Sequence, residues 1–118
     1  MYVCTMANSK LYKGSLQTII LKLLETEDKM YGYEITQRVK TLTADKLKIT
    51  EGALYPALHK LEAEGFLDVE ICKVDNRLRK YYKLTENGTK ETANRLEELQ
   101  EFIATMQQLV KLNPKLSL

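Results

Sequence analysis

The chain of 118 residues has no Trp, one His, two Cys and two Pro. It also has no apolar run approaching the ~18 residues of a membrane span. Each shortage removes a class of protein. Cys4 and Cys72 are too few and too scattered for a disulfide framework or a zinc site, so both read as free thiols in a reducing compartment. A lone His59 reads as polar surface before it reads as a metal ligand. There is no Ser/His/Asp or Cys/His set, no paired acid system and no Gly-rich phosphate loop. No catalytic residue, metal ligand or cofactor is expected, and the chain does not read as an enzyme. The opening MYVCTMANSK lacks the apolar core of a signal peptide, which predicts a cytoplasmic protein.

What is present suits one domain with an extension. Hydrophobic residues make up 44% of the chain, enough for a real core. The net charge of +2 says little, but its distribution says more. Within 73–83, Lys73, Arg77, Arg79, Lys80 and Lys83 stand against Asp75 alone, five charges to one, a local net of +4.

Periodicity divides the chain. Residues 1–13 read as a lead-in, with Leu11 and Tyr12 packing on the first helix. Ser15 is a candidate cap for that helix, which is striped by Leu16, Ile19, Ile20, Leu23 and Leu24. A second helix starts near Tyr31-Gly32-Tyr33-Glu34 and runs through Ile35, Val39 and Leu42. Its Gly permits close backbone approach at an N-terminus whose free N–H groups suit a phosphate. A third helix is capped by Thr50 and stopped by Gly65, with Leu54, Leu58 and Leu61 as its buried stripe and Pro56 as a source of a kink. The run Phe66, Leu67, Val69, Ile71 and the run 80–84 are strand-like, and Asp75-Asn76 supplies a turn between them. A last helix opens at 85–88. It carries a heptad seam of Leu96, Leu99, Ile103, Met106 and Val110, widened by Phe102 and Leu109, and Asn113-Pro114 ends it. Three helices followed by a hairpin is the order of a winged helix-turn-helix. The fold expected is mainly α with a small β-hairpin: lead-in 1–13, winged helix 14–84, dimerisation helix 85–112 and tail 113–118.

The third helix carries the functional argument. Opposite its buried stripe lie Gly52, Pro56, His59 and Ala63, with Tyr55 and Lys60 on the shoulders. A face so trimmed of bulk suits entry into a DNA groove. Thr50 and Gly52 would make hydroxyl and backbone contacts, Tyr55 and His59 would reach phosphates or base edges, and Lys60 a phosphate. No Arg or Asn is placed for bidentate base reading, so discrimination would lean on DNA shape and apolar contacts. At the wing, alternation separates Arg79 and Tyr81 from Lys80 and Tyr82; Arg77 and Arg79 are preferred as contacts, with Lys80 third. Of Tyr31 and Tyr33, one is assigned to the core and the other, Tyr31, to a phosphate.

Four segments in order carry a more specific likeness: KGSL running into IILKLL, YGYEI, GALYPAL with LEAEG, and RKYYKLT with Gly88. Over about residues 11–90 the chain resembles the PadR family of bacterial transcriptional regulators, and specifically its members with a single short C-terminal helix. The resemblance implies a homodimeric repressor on double-stranded DNA. Its third helix would enter the major groove, its wing would approach the minor groove and its last helix would form the dimer over a pseudo-palindromic operator. A separate reading is a ligand-responsive version of that regulator, with an apolar cavity for a small-molecule effector at the dimer centre, lined by the first and last helices. The family's wing often has Gly-Arg where this chain has Asn76-Arg77. The absence of Trp means that drug stacking by that residue is not carried over. The alternative reading is a winged-helix module that binds protein and not DNA, set apart by the absence of salt-sensitive duplex binding.

Overall fold

Helix α1 (Leu16–Thr26) is the post around which the domain packs. Leu16, Ile20, Leu23 and Leu24 are buried as their spacing requires, but so is Leu21 on another side, which is fully covered. The helix is therefore enclosed on several faces, not only along one stripe. The computed structural model describes residues 12–114. Cys4, Leu11 and the tail beyond Pro114 lie outside them. Ser15 does not cap α1 with its side chain. A 3₁₀ turn over Lys13–Ser15 leads into the helix, and the Leu16 N–H donates to the Lys13 carbonyl, so the chain caps itself. Tyr12 packs against the core, and its hydroxyl donates to the Lys48 carbonyl at 2.6 Å.

After a two-residue strand β1 (Met30–Tyr31), helix α2 (Gly32–Leu42) buries Ile35 and Val39. Leu42, expected on the buried face, is instead 67% exposed. It falls at the last turn, on the open wall of a groove that it lines with Ile19 and Leu23 of α1. The link to the next helix is tied by Thr43, whose hydroxyl donates to the Val39 carbonyl and accepts from the Leu47 N–H. Buried Ile49 anchors its far end.

Helix α3 (Glu51–Ala63) begins and ends where its capping residues dictate. The Thr50 hydroxyl accepts from the Ala53 N–H at 3.2 Å. At the other end Gly65 takes φ +87°, and the N–H groups of Phe66 and Gly65 reach back to the carbonyls of Leu61 and Glu62. That is a Schellman closure. Leu54, Leu58 and Leu61 are fully buried.

Strands β2 (Leu67–Val74) and β3 (Arg77–Leu84) form the hairpin, with Val74 paired to Arg77 across a two-residue turn. Asp75 and Asn76 both have positive φ, 52° and 64°, as a type I′ turn demands. Asn76 thus serves where the resembling family often has Gly, because Asn tolerates the left-handed region. The sheet has three strands, not two. Tyr31 pairs with Tyr81 and Met30 with Tyr82, giving the antiparallel order β1-β3-β2. Two residues are too short to display alternation, so nothing in the sequence announced β1.

Helix α4 (Glu86–Val110) is 25 residues long, about 38 Å at the α-helical rise. Its Thr85 cap accepts from the Gly88 N–H and donates to the Gly65 carbonyl. A Cβ at Gly88 would lie 2.0 Å from the Phe66 carbonyl oxygen, so only Gly permits this crossing. The first half of α4 packs on α1, where Arg95 hydrogen-bonds Gln17 at 2.7 Å. From Phe102 onward every described residue is exposed, and the molecule stretches to 68 Å along its longest axis.

Candidate nucleic-acid interface

The outward face of α3 is as the spacing requires: Gly52, Pro56, His59 and Ala63 are all exposed, with Lys60 beside them. The helix runs unbroken through Pro56. The missing proline N–H removes the bond that would close on the Gly52 carbonyl, so a backbone acceptor is freed on that same outward face. Thr50 is exposed beside it, and because its oxygen accepts in the cap, its hydroxyl proton remains free to donate outward.

Tyr55 is placed differently. It is half-buried, part of the shell around the core, and its hydroxyl lies over Gly32. A Cβ at position 32 would approach that oxygen to 2.3 Å. Burial, with the nearby Glu51 carboxylate adding to it, raises the Tyr55 pKa and keeps the phenol neutral. His59 leans on it, with ring centroids 6.4 Å apart. Tyr55 therefore joins α3 to α2 as well as flanking the outward face.

This also answers why Gly stands between two tyrosines. The N-terminus of α2 is not open: Tyr55 covers Gly32, and the Glu34 carboxylate accepts from the Tyr31 N–H at 3.1 Å. Neither flanking tyrosine is core. Tyr33 is 59% exposed, and Tyr31 is half-buried in β1.

The wing has two chemically distinct faces. On the outer one the Arg79 guanidinium sits 4.1 Å from the Tyr31 ring centroid, and Tyr31 meets Tyr81 edge-on at 5.5 Å. The same face holds Glu70 between Lys29 at 2.9 Å and Lys83 at 3.7 Å, with the half-buried Cys72 thiol 3.5 Å from Glu70. The Lys29 hydrogen bond lowers the Glu70 pKa, and the same bond raises that of Lys29. On the inner face Tyr82 is buried, and the Lys80 ammonium lies 5.9 Å from its ring centroid. Lys80 is also close enough to Tyr55 to oppose the rise in its pKa. Lys80 therefore stands on the α3 side of the wing, Arg79 on the far side, and Arg77 exposed at the tip.

One cation escaped sequence reading. Lys13 lines a shallow groove with Gln17, Gly52, Pro56 and Lys60, which brings a second positive charge to the start of α3. Residues 13 and 60 share no spacing rule, so only folding could bring them together.

The seam residues divide in two. Leu96 and Leu99 are half-buried and line an apolar groove with Ile19, Leu23, Val39, Leu42 and Leu47. Phe102, Ile103, Met106, Leu109 and Val110 are 39–78% exposed.

Three helices, a three-stranded sheet whose hairpin projects as a wing, and a trailing helix define a winged helix-turn-helix protein. The match to known proteins is close. Residues 20–94 fit the model of the transcriptional regulator PadR-like family, and the chain belongs to that family. A transcriptional regulator from Clostridium thermocellum superposes with a TM-score of 0.80 at 32% identity, over 87% of this chain and all of that one. A PadR family regulator from Eggerthella lenta gives 0.73 at 26% identity, over 88% of each chain. A transcriptional regulator of Mycobacterium tuberculosis is 37% identical over 62 residues, 52% of this chain and 55% of that one. The protein is thus a DNA-binding transcriptional regulator of the PadR type, and among its described residues no helix is long and apolar enough to cross a membrane.

Proposed function

We propose that the protein is a homodimeric repressor that binds a pseudo-palindromic operator through α3 in the major groove. The observation that carries this reading is the exposed row Gly52, Pro56, His59 and Ala63 on a helix whose other side is fixed by three fully buried leucines. A rigid helix without bulk on its outer side can approach base edges closely, and the freed Gly52 carbonyl and the Thr50 hydroxyl supply polar groups there. Lys13, Lys60, Lys80 and Arg77 frame it for phosphates. Tyr31 and Arg79, engaged with each other, hold the wing at its angle, and any phosphate contact they make is secondary to that.

The dimer follows from α4. Its distal half leaves five large apolar side chains uncovered, which is unfavourable in water by roughly 25 cal/mol for each Å². The groove beside Leu96 and Leu99 on a second copy offers apolar walls to receive them. Its volume of about 210 Å³ suits side chains. Drug-sized ligands usually occupy ~300–1,000 Å³, so an effector is the lesser reading of this groove. On a pseudo-palindromic operator such a dimer would set its two α3 helices about 34 Å apart, one DNA turn.

The test is titration of a labelled duplex, enriched from a random-sequence pool by the protein itself, at several salt concentrations. The expected result is an affinity that falls linearly on a log–log plot, with a symmetric footprint. Binding that ignores salt, or none, would leave a protein-interaction module as the reading.

A further inference from the structure

The inner face of the wing carries two apolar side chains that the fold does not use. Leu78 is 76% exposed and Ile71 62% exposed. In the strand register Ile71 stands opposite Lys80 and Leu78 opposite Lys73. Alternation puts all four on the face that carries buried Tyr82 and Leu67, so Ile71 and Leu78 are diagonal neighbours in one patch. Lysines occupy the other two corners. The acids of β2 are elsewhere: Asp68 and Glu70 alternate onto the outer face, where Glu70 is held by Lys29 and Lys83. The inner face near the tip is thus apolar at its centre and cationic at its edges. It is also rigid, with eight-residue strands closed by a two-residue turn. Its lower edge adjoins α3, because β2 packs against that helix at the root of the wing.

From these observations we infer that Leu78, backed by Ile71, is an apolar wedge that the wing drives between base steps of the minor groove, bending the operator. The proposal rests on the DNA-binding reading above and adds a residue and a deformation to it. Charge complementarity selects the occupant. Lys73 and Lys80 beside an apolar centre, with Arg77 at the tip on the other face, match the two phosphate rows that flank a groove floor of sugars and base edges. Side chains of this size, inserted at a step, unstack it and kink the duplex. Discrimination would then come in part from how easily a step deforms, which fits the lack of a bidentate reader on α3. A wing serving only as an electrostatic clamp would carry polar residues at 71 and 78.

The experiment uses the full chain and a duplex enriched from a random-sequence pool by binding to it. Affinity is read by anisotropy against salt, and bending by energy transfer between dyes at the two duplex ends. For Leu78→Ala the expected result is an affinity about tenfold lower, an unchanged salt slope and loss of most of the bend. The melting temperature should hold, since the side chain is mostly exposed. Leu78→Met should retain the bend. An unbent wild-type complex, or a Leu78→Ala complex bent as strongly as wild type, would overturn the wedge and leave the regulator reading standing. Wild-type protein without salt-sensitive duplex binding would overturn both. Loss of repression in cells with affinity and bend unchanged would also overturn the wedge, and would assign the patch to a protein partner.

Discussion

Two residues report most directly on how far chemistry and stability pull apart in this molecule. Gly52 occupies the first turn of α3, and a Cβ there would meet nothing nearer than the Thr50 hydroxyl oxygen at 4.0 Å. Folding does not need a glycine at this position. Gly52→Ala should therefore raise stability by up to about 1 kcal/mol through helix propensity. The same methyl would stand between α3 and the base edges, so duplex binding should weaken while the melting temperature rises. Melting curves and anisotropy on one preparation separate the two effects, and tighter or equal binding would show that the backbone there is not approached. Tyr82 is the converse case. It is 1% exposed, and among the described residues its buried hydroxyl has no hydrogen-bond partner. A buried unpaired hydroxyl costs free energy, so Tyr82→Phe should be neutral to stabilising, by up to about 2 kcal/mol in denaturant titration. A clear loss of stability would mean that the hydroxyl is satisfied.

At the scale of elements, the wing is held by different forces on its two sides. Its inner root is packed by Tyr82 and Leu67, while its outer face is held by Arg79 on Tyr31 and by Glu70 between Lys29 and Lys83. The Glu70 pKa is lowered, chiefly by the Lys29 hydrogen bond. A lowered carboxylate pKa contributes stability that is present above the unfolded value, about 4.3, and is lost as pH falls through the folded value. Glu70→Gln should accordingly melt below wild type at neutral pH, with the gap closing in acid below about pH 4. Both partners are substantially solvent-exposed, so the gap should be small. Melting temperatures of the two proteins across the acid range check this, and a gap that stays constant to the acid end would remove the carboxylate from the account.

For the whole molecule, the length of α4 matters more than its sequence of contacts. Its first half closes the domain against α1, and its second half leaves the domain altogether. A charge at Ile103, which is 47% exposed, should leave the fold intact and split the proposed dimer. Sedimentation of Ile103→Glu should give a monomer, with duplex affinity down about a hundredfold or more through loss of the second half-site. A variant that still sediments as a dimer would place the interface elsewhere.

Periodicity and capping chemistry by themselves determined the three helices of the winged domain, the hairpin and the trailing helix. Each of those signals is local: Thr50 caps its own helix, Gly65 ends it, and Leu54, Leu58 and Leu61 share a face by spacing alone. Asp75-Asn76 marked its turn for the same reason. The tertiary structure decided what depends on residues far apart in the chain. It moved Tyr55 from the shoulder of the outer face to a half-buried place over Gly32, covering the α2 N-terminus that looked free for a phosphate. It added β1, replaced the Ser15 cap by a 3₁₀ turn, and exposed Leu42. It brought Lys13 beside Lys60, and put Lys80 on the α3 side of the wing and Arg79 on the other. A repeat of 3.6 or 2 residues tells which side chains share a face, but only packing tells what that face meets.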